Sequence, residues 1–166
     1  MPSSLNPLFD HLRDVHRHMA WADLVWFETW AAAGFQDDPD LLQRTQHTAD
    51  VQVAFLMVLR GEDVVFPGDR PAPAFRHLRA LTGRNHQAFG DLFAALGPDS
   101  LARTVRVPWI PGTPCLVTVA DALTQVAMHT QHHRGQLMTR LRHLGGQPQN
   151  VDYIIWACKN RPEAEW

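Results

Sequence analysis

The stretch from Asn6 to Gly34, NPLFDHLRDVHRHMAWADLVWFETWAAAG, sets Leu8, Leu12, Val15, Met19, Ala22, Trp26, Trp30 and Ala33 at steps of three and four. That is the repeat of one helix face. Asn6 followed by Pro7 supplies an N-cap and a first helical residue, and Gly34 supplies the stop. The same start signal returns at Asp38-Pro39 and predicts a second helix from about Pro39 to Arg60, closed by Gly61. Its middle, VQVAFLMVL, is apolar nearly all round, as a helix packed on several sides must be. GEDVVFPGDRPAP, punctuated by Gly and Pro, reads as a loop. A third helix then places Phe75, Leu78, Leu81, Ala88, Leu92 and Leu96 on one stripe, with Gly97-Pro98 behind it.

From Pro98 to Pro114 turn residues surround the β-like run RTVRVPWI, which predicts an extended connector with a brief strand pair. Thr118 with Asp121 forms a capping box and opens a fourth helix that Gly145-Gly146 ends after Leu144. The tail VDYIIWACK adds a short docking helix. Four amphipathic helices must bury their stripes against one another, so the predicted fold is an all-α four-helix bundle in one domain, 1–166. The long connector before the last helix predicts a crossover there.

Composition narrows the function. The chain has 166 residues, 45% hydrophobic, with 15 Lys+Arg against 17 Asp+Glu and a net charge of -2. That is ample core material, and it provides no bulk field for holding nucleic acid or an anionic membrane. Arg76, Arg79 and Arg84 form the best basic cluster, and it reads as a solvated face. Two cysteines, Cys115 and Cys158, cannot make a disulfide framework, so reduced thiols and a cytoplasmic setting are expected. The first residues carry charge and histidine where a signal peptide needs an apolar run, and no stretch has the length of a membrane span.

The ten histidines are the anomaly. His129 and His133 are four apart, on the stripe Ala122, Val126, His129, His133 and Leu137. Imidazoles there need polar partners, and one metal ion bound by both would answer the desolvation cost. His132 points about 100° away round the helix. A third ligand belongs on a facing helix, and His47, in line with Val51, Ala54 and Val58, is the candidate. Three protein ligands leave positions for water or substrate, the pattern of a catalytic rather than a structural site. The imidazole set suits Zn, Ni, Fe or Cu. His11, His16, His18, His77, His86 and His143 read as surface or flanking residues.

These residues also resemble a known family. His129 to Leu137, HTQHHRGQL, resembles the HxxxHRGQ signature of the DinB-like (DinB/YfiT-like) family of metal-dependent proteins. Met19 to Asp23 is similar to its "WAN" segment, with Asp in place of Asn, and Gly145 to Trp156 to its "LGxxPxxxDYIxW" tail. The resemblance implies an up-down-down-up bundle, commonly a homodimer, with His47, His129 and His133 as metal ligands. It also brings relatives that transfer or isomerise with low-molecular-weight thiols. The expected cofactor is a divalent metal ion, Zn or Ni before Fe or Mn, with a small thiol as possible cosubstrate.

Two chemistries follow for such a site, hydrolysis by an activated water or S-transfer by an activated thiol, each on a small-molecule substrate. Gln125, one turn before His129, is a candidate partner for an imidazole, Arg134 for an anionic substrate group or an interhelical salt bridge, and Trp21 for the lining. Asp50, three residues beyond His47, is the nearest carboxylate in sequence and reads as a solvated residue. Gly135 in mid-helix predicts a close helix approach. The alternative is a non-catalytic, metal-stabilised dimeric stress-response protein.

Overall fold

The computed structural model describes residues 6–66, 70–110 and 114–166. The N-terminal pentapeptide, the middle of the first loop (67–69) and the tip of the second connector (111–113) lie outside the described residues. The elements in chain order are α1 (Pro7–Ala33), α2 (Pro39–Arg60), α3 (Phe75–Ala95), a 3-10 turn (Pro98–Ala102), β1 (Thr104–Val107), β2 (Cys115–Thr118), α4 (Val119–His143) and α5 (Tyr153–Cys158).

The caps form where the short polar residues stand. Asn6 Oδ1 accepts from the Leu8 and Phe9 amides, and Asp38 accepts from the Leu41 amide. Gly34 and Gly61 end their helices at φ 79° and 76°, a left-handed turn that favours glycine. At α4 the Thr118 hydroxyl accepts from the Asp121 amide while the Asp121 carboxylate accepts from the Thr118 amide.

Cross-helix contacts give the directions. Along α1, His16, Asp23 and Trp30 meet Phe93, His86 and Phe75 of α3 in reverse order, so these helices are antiparallel. His16 meets Leu123 and Asp23 meets Arg134, so α1 and α4 are parallel. On α2, Asp38, Arg44 and Gln52 meet Arg140, Gln136 and Thr130 of α4 in reverse. The bundle is therefore up-down-down-up, with α1 diagonal to α2 and α3 diagonal to α4. Two parallel helices in succession, α2 and α3, put the end of α2 and the start of α3 at opposite poles of the bundle. The longer connector before α4 joins ends at the same pole. Its residues are spent on the 3-10 turn and on the antiparallel pair β1–β2, with Thr104 opposite Thr118 and Val107 opposite Cys115.

The core is rich in aromatics. Trp26, Trp30 and Trp156 are 2%, 0% and 0% exposed, and truncating one to Ala would cost about 3–5 kcal/mol. Trp26 stacks on Trp30 at 5.6 Å, and Trp30 meets Phe75 edge-on at 4.8 Å. α5 docks on α1 through Trp156, Val151 and Trp21.

Several sequence expectations are corrected. Leu8 is exposed, and Phe9 fills that end of the core instead. The buried stripe of α3 runs through Leu78, Thr82, Asn85, Phe89 and Leu92, with His86 beside it. Leu81 and Ala88 lie at its edge. Asn85 and His86 can sit there because the facing helices supply partners, Ala49 and Gln52 for Asn85 and Asp23 for His86. His16, His18 and His86, expected at the surface, are buried. Each donates from Nε2, to the Leu123 carbonyl (3.0 Å), the Val151 carbonyl (2.8 Å) and Asp23 Oδ2 (2.9 Å). Gly135 marks no close approach. It is exposed, and nothing lies within 4 Å of where a Cβ would sit.

Candidate metal centre

α4 presents His129 and His133 one turn apart, and the antiparallel α2 brings His47 against both. Their ring centroids lie 4.4 Å apart for His129–His133, 4.8 Å for His47–His133 and 5.3 Å for His47–His129. One nitrogen from each ring falls within 4.8 Å of the other two, so three histidines could hold a metal ion. The site is open to solvent: His47 is exposed, and His129 and His133 are half-buried.

The protonation pattern follows from the neighbours. Gln136 Oε1 accepts from His133 Nδ1 at 2.8 Å and also from Arg44 at 3.3 Å, while Gln136 Nε2 donates to His132 Nε2 at 3.0 Å. With its proton on Nδ1, His133 turns a bare Nε2 toward His129 Nε2, 3.1 Å away. Burial, together with the charges that His133, His47 and His132 would carry, pushes His129 down to about 4. Burial and His133 also lower His47, against the pull of Asp50. Neutral imidazoles are the form that binds a cation.

The separation of the two α4 nitrogens fits a shared ion. Bonds of about 2.1 Å at angles of 90–109° put two ligand nitrogens about 3.0–3.4 Å apart, a range that includes the gap between His129 and His133. Among the described residues no carboxylate or thiol joins the group. Asp50 is held by Arg70 at 3.0 Å.

The other residues singled out from the sequence stand elsewhere. Gln125 is exposed and makes no side-chain hydrogen bond among the described residues. Gln136, at i+3 from His133 rather than i−4 from His129, holds the imidazole instead. Trp21 is buried against Val151 and Trp156 with Lys159 over its ring, so it belongs to the α5 dock. Arg134 is 2% exposed and ion-paired with Asp23.

That pair anchors a polar layer to which all four helices contribute. Asp23 accepts from Arg134 Nη1 and from His86, with Gln52 Nε2 at 3.4 Å. Gln52 also donates to Thr130 (3.3 Å) and accepts from Asn85 (3.2 Å). Burial alone would raise the Asp23 carboxyl, but the Arg134 charge and the His86 bond outweigh it and hold the group below its ordinary value. Thr130 and Arg134 each follow a histidine of the candidate site in sequence, so the layer fixes the rotation of α4 that turns His129 and His133 toward α2. The polar residues that do this were not evident from spacing; Asp23 stood out only as occupying the place where the family's segment has Asn.

A search of curated proteins finds no match to the chain. The family model of the DinB superfamily matches residues 6–137, which include all three histidines, the whole of α2 and α4 as far as Leu137. With that match over most of its length, the chain belongs to the DinB superfamily.

Proposed function

We propose that His47, His129 and His133 bind one divalent metal ion, Zn or Ni, and that the site activates a small thiol for S-transfer to an electrophilic small molecule. The observation that carries this reading is the convergence of three imidazoles at a solvent-open seam. A proton can bridge the two facing Nε2 atoms of His129 and His133, whereas one metal ion can accept all three nitrogens. A divalent cation held by neutral imidazoles keeps its charge and lowers the pKa of a thiol or water presented to it.

Thiol chemistry is favoured over hydrolysis by what surrounds the histidines. A water-activating hydrolase gains from a carboxylate base, and the nearest candidate, Asp50, is engaged by Arg70. A thiol, far more acidic than water, needs no such base. Gln136 keeps the His133 ring turned and its tautomer set, and Arg44 steadies Gln136. A homodimer in the cytoplasm completes the proposal, and equilibrium sedimentation tests the dimer.

The test is cobalt-loaded protein titrated with 2-mercaptoethanol. The account expects a saturable, thiol-dependent change in near-ultraviolet and visible absorbance that His133→Ala abolishes while circular dichroism stays helical. An unchanged spectrum would reject the thiol reading. If chelation of the wild-type protein also collapsed the helical signal, the metal would serve as scaffold alone.

A further inference from the structure

On the opposite side of the bundle from the histidines, a cavity of about 1230 Å³ lies between α1 and α3, with the C-terminal segment at its edge. Its lining concentrates charge. Five of the chain's 15 basic residues, Arg13, Arg17, Arg76, Arg79 and Arg84, face one carboxylate, Glu163. Arg13 and Arg17 are occupied by Asp10 (2.8 Å) and Asp14 (3.0 Å), and Arg17 also by Glu163. Arg76, Arg79 and Arg84 of α3 have no ion-pair partner among the described residues.

Beneath that cationic rim the walls are aromatic. Phe75, Phe89, Phe93 and Trp166 line the cavity, and Trp166 stacks on His86 at 5.3 Å. The space persists because α3 carries small residues there; nothing lies within 4 Å of where a Cβ at Gly90 would be. At the inner wall His16 and His86, 4% and 7% exposed, have given their Nε2 protons to Leu123 and Asp23. Their Nδ1 lone pairs are buried without a donor.

We propose that this cavity is a second binding site, for a small amphipathic aromatic anion. Its ring system would lie on Phe89, Phe93 and Trp166, and its carboxylate would be met by the unpaired guanidinium groups of α3. A nucleic acid is a poorer match. The arginines are gathered round a pocket of small-molecule size, and the chain has no net positive charge to hold a polyanion.

Isothermal titration calorimetry of the full chain with 6-hydroxy-2-naphthoate tests the site. The expected result is 1:1 saturable binding, weakened at least tenfold in Arg79→Gln/Arg84→Gln and at least tenfold for the neutral 2-naphthol. Gly90→Phe, whose Cβ enters open space, should block binding with the helical signal intact. Metal content in these variants should equal that of the wild type, since the histidines lie elsewhere. Absence of binding at millimolar ligand, equal affinity for 2-naphthol, or affinity unchanged by the arginine replacements would each overturn the proposal. Displacement of the naphthoate by a single-stranded oligonucleotide at comparable concentration would overturn it in favour of a nucleic-acid surface.

Discussion

Asp23→Asn is predicted to be one of the most destabilising single changes in the chain. The wild-type carboxylate accepts from Arg134, His86 and Gln52 in a layer where Asp23 is 6% and Arg134 2% exposed. With the carboxylate gone, the guanidinium stays charged in the core, with Gln131 Oε1 (2.5 Å), the Met19 carbonyl (3.4 Å) and a neutral amide oxygen at position 23 as its acceptors. Removing one partner of a buried ion pair costs about 3–5 kcal/mol, a large share of the 5–15 kcal/mol that holds a domain of this kind folded. The charge-free pair Asp23→Leu/Arg134→Met should recover most of that, leaving about 1 kcal/mol each for the acceptor lost to His86 and to Gln52. Urea unfolding of wild type, Asp23→Leu, Arg134→Met and their double variant measures the coupling directly, with Asp23→Asn unfolded beside them. A coupling below about 1 kcal/mol, or an Asp23→Asn variant within that margin of wild type, would refute the role assigned to the pair.

Other outcomes follow from single contacts. Gln136→Leu should weaken metal binding by about 10–100-fold with little change in unfolding free energy, as measured by chelator competition. Gly135→Ala should stabilise the protein by about 0.5–1 kcal/mol in urea, because the helix there gains a better former and meets no clash. Burial holds His16 at about 4 in the folded chain against an unfolded value near 6.5, so its neutral form is favoured by folding. Its contribution is full above pH 6.5, is lost as pH falls toward 4, and totals about 3 kcal/mol at most. Because His129 adds a similar slope in chelated protein, the readout is the difference between wild type and His16→Gln.

The helices were legible because their signals are local. Asn6-Pro7, Asp38-Pro39 and Thr118 with Asp121 are caps built from adjacent residues, and each appears at the helix start it predicted. The pairing of His129 with His133 was equally local, four residues on one helix. The buried polar layer was not legible, because the warrant for each member lies on another helix. Asn85 and His86 look like surface residues until Gln52 and Asp23 are brought against them. Gln125 looked the likeliest partner for His129 by spacing, yet side chains on a helix lean toward its N-terminus, and it was Gln136 that reached His133. Gly135 carried a false signal, since a mid-helix glycine reads the same whether or not another helix approaches.

The most direct measurement is an equilibrium titration of metal-free protein with Zn²⁺, wild type against His47→Ala. One ion per chain, bound on the order of a hundredfold or more weaker without the α2 imidazole, is the expected result, since losing a ligand costs at least as much as losing its supporting contact. Equal stoichiometry and affinity in the two proteins would show that α2 supplies no ligand, and the three-histidine centre would be contradicted.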